Sequence, residues 1–365
     1  MPGPVDELDA EQAAAVGRAE TLTMNVLVTG ANGHLGFNLV KQLLAAGHRV
    51  RGSVRALDDS VRTAHLKALG AVELVEADLE RPHLLRLAMD GIDAVCHTAA
   101  VYALYAPGRE REILAASLGG AEAVMRAAHD ARVRKVVFTS SIVTLPLTRP
   151  GATPVTEAQW ATDLRVPYLK AKTLAEQRAW ALARELGVHL VTILPGAFGG
   201  PGFQRNTPTI DLIEAVMKGS LQLAAPPFNL PYVDVRDVAR AHALALEKEC
   251  SGRFVIANDR FPNLADIAAT MHAIDRRIPK PLMTLPGFTL PLLPALDELN
   301  SRLSRAPRIL TPDLVATLRG RIFNASNERA KAELGWRQEV SLKQSLADTI
   351  SALRERAAIS SGASA

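Results

Sequence analysis

Met24-Asn25-Val26-Leu27-Val28-Thr29-Gly30-Ala31-Asn32-Gly33-His34-Leu35-Gly36 is the stretch on which the fold turns. Met24–Thr29 is a short apolar run and predicts a strand buried on both faces. Glycines follow it, and Leu35–Ala46 then carries apolar residues at helical spacing up to a stop at Gly47. A strand that ends in glycines and opens into a helix is the start of a βα unit. Gly30 permits the tight turn, Gly33 lets the backbone approach a pyrophosphate, and Gly36 lets helix and strand pack closely. The helix start adds free N–H groups and a positive dipole, so Gly30, Asn32, Gly33, His34, Leu35 and Gly36 are candidate dinucleotide-binding residues. Their glycine spacing, three residues apart twice over, differs from the GxGxxG form of the motif.

Working outward, the alternation continues. Arg49–Val54, Ala71–Glu76, Ile92–His97, Val133–Thr139 and Val188–Leu194 predict strands, with helices at Ala64–Leu69 and Arg111–Ala131. Pro167, favoured at a first helical position because it has no N–H to leave unpaired, opens a helix that runs to Leu186 and stops at Gly187. Repeated βα units call for an α/β, Rossmann-type, doubly wound parallel sheet that binds ligands outside the carboxyl ends of its strands. After Pro195 the pattern weakens. A helix at Ile210–Lys218, strands at Tyr232–Val235 and Arg253–Ala257, and a helix at Val238–Lys248 follow, and residues 258–340 are mainly helical with Pro-rich joins. The expected organisation is a dinucleotide-binding domain over 24–196, rejoined by 232–257. A smaller, mainly helical substrate-binding region takes 197–231 and 258–356, with unstructured ends at 1–23 and 357–365.

Composition narrows the class. The chain has 365 residues, 48% of them apolar and only 4% aromatic, so aliphatic and Ala packing fills its core. Its 42 basic and 38 acidic residues are not gathered into blocks, which argues against a nucleic-acid partner. Cys96 and Cys250 lie far apart in or near apolar runs, the pattern of free thiols in a reducing, cytoplasmic setting; no metal site is expected. No signal-peptide pattern opens the chain. The apolar stretch Pro281–Leu296 is broken by Pro286, Pro291 and Pro294 and cannot span a bilayer, which leaves it an apolar cleft or a membrane surface to contact.

Two further constellations carry chemistry. The second strand, Val50-Arg51-Gly52-Ser53-Val54-Arg55, lacks the acid that holds an NAD ribose, and Arg55 suits the 2′-phosphate of NADP; Asp58 and Asp59 slightly further on keep NAD open. Asp78 either accepts from the adenine or caps the following helix. Tyr168 and Lys172, four apart, share one helical face. A free tyrosine is a poor acid–base catalyst at neutral pH, and an adjacent ammonium favours its phenolate. Ser141, with Ser140 as second choice, stands at the end of the fifth strand, where a hydroxyl can hydrogen-bond a substrate carbonyl.

At these residues the chain resembles the extended short-chain dehydrogenase/reductase (NAD-dependent epimerase/dehydratase) family over about Met24 to Arg356. TGANGHLG is similar to that family's TGxxGxxG loop, YLKAK to its YxxxK, and Ser141 stands at its active-site Ser/Thr. His97-Thr98-Ala99-Ala100 resembles the segment that passes the cofactor, and Asp78-Leu79 the adenine-contacting pair. SVR, FTSS and YLKAKTLAEQRAW resemble the dihydroflavonol 4-reductase and cinnamoyl-CoA reductase branch. VYALYAPG, Tyr232–Glu247 and RIFNASNERAKAELGW resemble a hopanoid-associated sugar epimerase branch.

The resemblance implies cofactor contacts at Leu79, Thr98, Ala99, Ala100, Tyr168, Lys172, Pro195, Ala197 and Phe198. It implies a catalytic Ser141, Tyr168 and Lys172, NADP ahead of NAD, a small-molecule substrate and a homodimer. Epimerases usually carry Arg and Asn where this chain has Pro195-Gly196-Ala197-Phe198, which turns the expectation from a sugar nucleotide toward a less polar ligand, as does an apolar cluster of Phe228, Leu230, Leu285 and Phe288. The leading expectation is a reductase of ketones or aldehydes. An NAD-retaining epimerase or dehydratase is the alternative, and a non-catalytic nucleotide sensor the third.

Overall fold

The computed structural model describes residues 23–99, 108–304 and 311–362. β1 (Asn25–Thr29) passes through the glycine loop, residues 30–33, into α1 (His34–Ala45), which leads back to β2 (Arg49–Val54). α2 (Ser60–Lys67), β3 (Val72–Glu76), α3 (Pro82–Ala88), β4 (Ala94–His97), α4 (Glu110–Asp130) and β5 (Lys135–Thr139) continue the alternation. After a single 3₁₀ turn at Ile142–Thr144 come α5 (Pro167–Leu186) and β6 (Leu190–Pro195). The remaining elements are β7 (Ala197–Gly199), α6 (Pro208–Met217), β8 (Ala224–Ala225), β9 (Tyr232–Asp234), α7 (Val235–Glu247), β10 (Gly252–Ile256), α8 (Leu264–Ile274) and β11 (Met283–Thr284). A 3₁₀ turn at Gly287–Leu292, α9 (Leu293–Ser304), α10 (Pro312–Leu318), a π turn at Ala330–Leu334 and α11 (Leu342–Gly362) complete the described chain.

Seven strands form one parallel sheet in the order β10-β6-β5-β4-β1-β2-β3. The order reverses between β1 and β4, so a crevice opens at their carboxyl ends. Val26, Leu27 and Val28 are fully buried, as both faces of a parallel sheet require. One face is covered by Leu35, Leu39 and Leu43 of α1 with Val238 and Leu246 of α7; the other by Leu85 of α3, Val124 and Met125 of α4, and Leu182 of α5. Small residues carry much of this packing, as the low aromatic content predicts. A Cβ at Gly120 in α4 would stand 2.9 Å from Leu79 Cδ1. A third core joins Ile210 and Ile213 of α6, Ile267 and Met271 of α8, and Leu346 and Ile350 of α11. The fully buried Trp336 donates its indole N–H to the Asp237 carbonyl at 2.9 Å and pins the late segment to α7.

Several expectations are corrected. α2 begins at Ser60, four residues early, because the Asp59 side chain caps it by accepting from the Arg62 N–H. The strand at Tyr232 pairs with β7 in a separate two-stranded sheet rather than entering the main one; β10 does enter it. α3 had no sequence signal beyond Pro82. The tail expected to be unstructured from Ala357 continues as helix to Gly362. The expected unstructured start over residues 1–22, the expected cofactor contact Ala100 and residues 101–107 lie outside the described residues.

Candidate active site

The glycine loop needs its glycines for reasons the backbone makes explicit. Gly30 has φ +69°, and a Cβ there would sit 2.9 Å from Ala99 Cα. A Cβ at Gly36 would stand 2.2 Å from the Gly30 carbonyl oxygen, so only glycine lets α1 leave the strand at this angle. Gly33 is the N-cap of α1, offers no side-chain cap, and no acid follows in the first turn. Main-chain N–H groups are thus left for an anion at the helix start.

A cavity of about 1020 Å³ runs from this loop along the carboxyl ends of the strands. Gly30, Asn32 and Gly33 line one part, with Arg55, Asp78 and Leu79 beyond them, Thr98 and Ala99 at the β4 end, and Lys172 across from them. The size and the mixed lining fit a dinucleotide. Arg55 is exposed and has no ion-pair partner among the described residues, and the same holds for Arg205, which also lines the cavity. Asp59 is held as a helix cap and pairs with Arg62 at 2.9 Å. Asp78 accepts from the Glu80 N–H at 3.1 Å, capping a turn; the N-cap of α3 is Arg81, so the helix-capping alternative does not hold.

Other expected contacts lie elsewhere. The His34 ring turns away from the cavity: its Nε2 lies 3.1 Å from both the Gly200 and Pro201 carbonyl oxygens and must carry the proton, so only its main chain can serve a phosphate. Pro195, Ala197 and Phe198 are not in the cavity lining. Phe198 packs against the His34 ring, and Gly196, where a Cβ would meet the Pro231 carbonyl at 1.9 Å, brings two main chains together. The apolar cluster expected around Phe228 splits: Phe228 and Leu285 pack with Leu290 and Leu293, Leu230 joins the third core, and Phe288 is 82% exposed.

Helix α5 positions the proton-transfer candidates. Pro167 occupies its first turn, and Gly187 at φ 68° ends it. Tyr168 is buried with Val166 and Leu169 against Val143 and Leu314. It does not line the cavity, whereas Lys172, one turn on, does. Lys172 Nζ reaches the Thr139 carbonyl at 3.4 Å at the end of β5. Burial pushes its pKa down to about 8, with the Glu176 carboxylate pulling the other way.

Ser141 caps the 3₁₀ turn that carries Val143, the residue packed on Tyr168, and its Oγ accepts from the Val143 N–H at a long 3.4 Å, leaving its own hydroxyl proton to donate. Ser140 is committed: its Oγ donates to Glu176 Oε2 at 2.6 Å.

Behind this front lies a network that sequence reading missed. Fully buried Glu176 also accepts from Thr192 Oγ1 at 2.8 Å and from Arg253 Nε at 2.8 Å. Arg253 further donates to the Glu157 and Gln159 carbonyls and to Thr144 Oγ1, each at 2.7 Å, and its guanidinium stacks 3.6 Å from the Trp160 ring centre. A second buried pair backs β5. His242 Nδ1 faces the Val238 carbonyl and so carries the proton, leaving Nε2 to accept from the Thr139 hydroxyl at 2.8 Å. Burial lowers the His242 pKa to about 4, so the ring stays neutral. The fifth-strand end is therefore held by Glu176 on one residue and His242 on the next. Neither had a local signal, because their partners lie 36 and 103 residues away.

Comparison with known proteins agrees with this geometry. The NAD dependent epimerase/dehydratase family pattern matches residues 26–257. Cinnamoyl-CoA reductase 1 of Arabidopsis thaliana is 34% identical over 348 residues, covering 91% of this chain and 89% of that one. Sterol demethylase protein B of Methylococcus capsulatus is 29% identical over 342 residues, covering 92% of this chain and 100% of that one. The crystal structure of gox2253 superposes with a TM-score of 0.78 at 28% identity, covering 91% of this chain and 98% of that one. Loop, sheet order, helix-borne Tyr-Lys pair and these matches together mean that the chain belongs to the NAD-dependent epimerase/dehydratase family of extended short-chain dehydrogenases/reductases, as an NAD(P)-dependent oxidoreductase acting on C=O and CH–OH groups.

Proposed function

We propose that this enzyme is an NADP-preferring reductase that interconverts a ketone or aldehyde and its alcohol on a fairly apolar small molecule, working in the cytoplasm. The observation that carries the proposal is one cavity lined by the glycine loop, by Lys172 and by an Arg55 that has no ion-pair partner among the described residues. The bound nicotinamide supplies or takes the hydride. Tyr168 gives a proton to the carbonyl oxygen, Ser141 donates a hydrogen bond to the same oxygen, and Lys172 favours the phenolate that Tyr168 leaves. The Thr139 carbonyl orients the Lys172 ammonium, and His242 orients Thr139 from behind.

The engagement of Asp59 as a helix cap removes one of the two carboxylates that kept NAD open, and supports NADP. The likeness to a sterol demethylase protein and to cinnamoyl-CoA reductase supports an apolar substrate.

The test is a parallel titration of nucleotide-free protein with NADPH and NADH, repeated on Arg55→Ala. The expected result is a preference for NADPH that the variant loses, at roughly 10- to 100-fold for charge-assisted hydrogen bonds to phosphate. Tightly retained NAD without an NADPH preference favours instead an enzyme that recycles its hydride internally. Binding of neither nucleotide overturns the cofactor assignment.

A further inference from the structure

Exposed large apolar side chains are scattered over most of this surface, but not at random. Of eleven among the described residues, six fall between Leu282 and Leu299: Leu282, Met283, Phe288, Leu292, Leu296 and Leu299. Leu223 joins them, since β8 pairs with β11 and the Leu282 N–H donates to the Gln222 carbonyl at 3.1 Å. Phe288 is 82% and Leu282 81% exposed, and apolar side chains gathered in one stretch, rather than scattered singly, mark an interaction surface. Leu292, Leu296 and Leu299 recur at the spacing of one helical face. The opposite side of the same segment is already satisfied, because Leu290 and Leu293 bury themselves with Val315 of α10. The outer apolar face is thus surplus to the fold.

Charge gathers around it. The described residues between 275 and 321 hold six basic and four acidic side chains, and Arg277 and Arg302 are paired with Asp275 and Glu298. Arg276, Lys280 and Arg319 are exposed and carry no ion-pair partner among the described residues. We infer that this face is a docking surface for an anionic lipid membrane, with Phe288 and its leucine neighbours entering the headgroup boundary and the basic side chains meeting lipid phosphates. An apolar face flanked by Lys and Arg is what an interfacial, non-spanning contact requires. No helix among the described residues is long and apolar enough to cross a membrane. A second copy of the chain fits less well, because a two-fold contact through this face would set the same basic rim against itself.

The face also sits close to the chemistry. Val315 supports it from below, and the adjacent Leu314 packs in the cluster that holds Tyr168. The cluster beneath this face and the cluster that holds Tyr168 are thus joined through neighbouring residues of α10, which suits an enzyme whose substrate partitions into lipid. The docking inference itself does not depend on the hydride-transfer reading.

The test is flotation of the full chain with vesicles of phosphatidylcholine alone and of phosphatidylcholine mixed with phosphatidylglycerol, with analytical ultracentrifugation in parallel. The protein is expected to float with the anionic vesicles, less so as salt rises, and not with the neutral ones. Phe288→Glu with Leu292→Glu is expected to abolish flotation while NADPH affinity and circular dichroism stay at the parent's values. Arg276→Ala with Lys280→Ala is expected to weaken it by about 25-fold, roughly fivefold per charge. Failure of the parent to bind anionic vesicles at low salt overturns the inference. So does a Phe288→Glu/Leu292→Glu protein that floats as well as the parent, or one whose only change is from dimer to monomer.

Discussion

Helix α5 carries three polar residues in one stripe, Tyr168, Lys172 and Glu176, each a turn apart, and the two ends of the stripe live differently. At the Glu176 end every donor and acceptor has a partner: the carboxylate takes Ser140, Thr192 and Arg253, and the guanidinium of Arg253 finishes on two carbonyls and Thr144. At the Lys172 end the ammonium has one long contact to a carbonyl, and the cavity it faces is also lined by Arg55 and Arg205, neither of which has an ion-pair partner among the described residues. Burying a charge is tolerable only when it is paired, so a closed network is architecture. Cations left unpaired on a cavity wall are the residues with something still to bind.

That contrast can be broken at three points. The largest effect belongs to the open end. Tyr168→Phe keeps the ring that packs on Val143 and Leu314 and removes only the hydroxyl. Turnover of a carbonyl substrate is expected to fall by about 10²–10⁴-fold while nucleotide affinity stays close to the parent's, measured by steady-state rates and fluorescence titration. Loss of binding together with turnover would move Tyr168 into the architectural half.

The closed end predicts the reverse signature. Glu176→Ala strands a buried guanidinium and is expected to cost about 3–5 kcal/mol in denaturant unfolding. Replacing both partners, Glu176→Met with Arg253→Met, is expected to recover much of that loss, because the uncompensated charge is gone. If the double variant is no more stable than the single, the pair is not the unit proposed.

The smallest effect lies between them. Lys172, pushed down to about 8 by burial against the opposing pull of Glu176, is expected to give the pH–rate profile an alkaline limb near that pH. Lys172→Arg keeps its charge and should lose the limb. The stability sign follows from the same shift. The unfolded chain keeps the lysine proton up to its ordinary pKa of 10.5 and the folded one releases it from about 8. Between those values the unfolded state binds more protons, and stability rises with pH.

The amino-acid sequence was most legible where local rules act alone. Pro167 and Gly187 mark both ends of α5 because one lacks an N–H and the other tolerates positive φ, and the observed helix runs Pro167–Leu186. The strand-glycine-helix start was legible for the same reason. Readings failed where a distant contact overrode a local one. His34 follows the loop pattern and keeps its main chain at the helix start, yet its ring is spent on Gly200 and Pro201; the segment 232–257, expected to rejoin the dinucleotide-binding domain, puts β10 into the main sheet but pairs Tyr232 with Ala197. Phe288, expected inside an apolar cluster, stands on the surface.

By itself, then, the sequence determined the βα repeat, the nucleotide loop, the Tyr168–Lys172 spacing and the absence of an acid at the end of the second strand. Each is a matter of period, of backbone freedom or of which residue type is present. Only the tertiary structure decided that Ser140 is bound to Glu176 while Ser141 keeps a proton to donate, that Asp59 is occupied as a cap and Arg55 is not, and that the surplus apolar face points outward. The first depends on groups 36 residues apart in the chain coming within hydrogen-bonding reach, the last on which side of a helix the rest of the core leaves uncovered, while the Ser141 and Asp59 contacts are short-range choices among turn geometries that the fold around them selects.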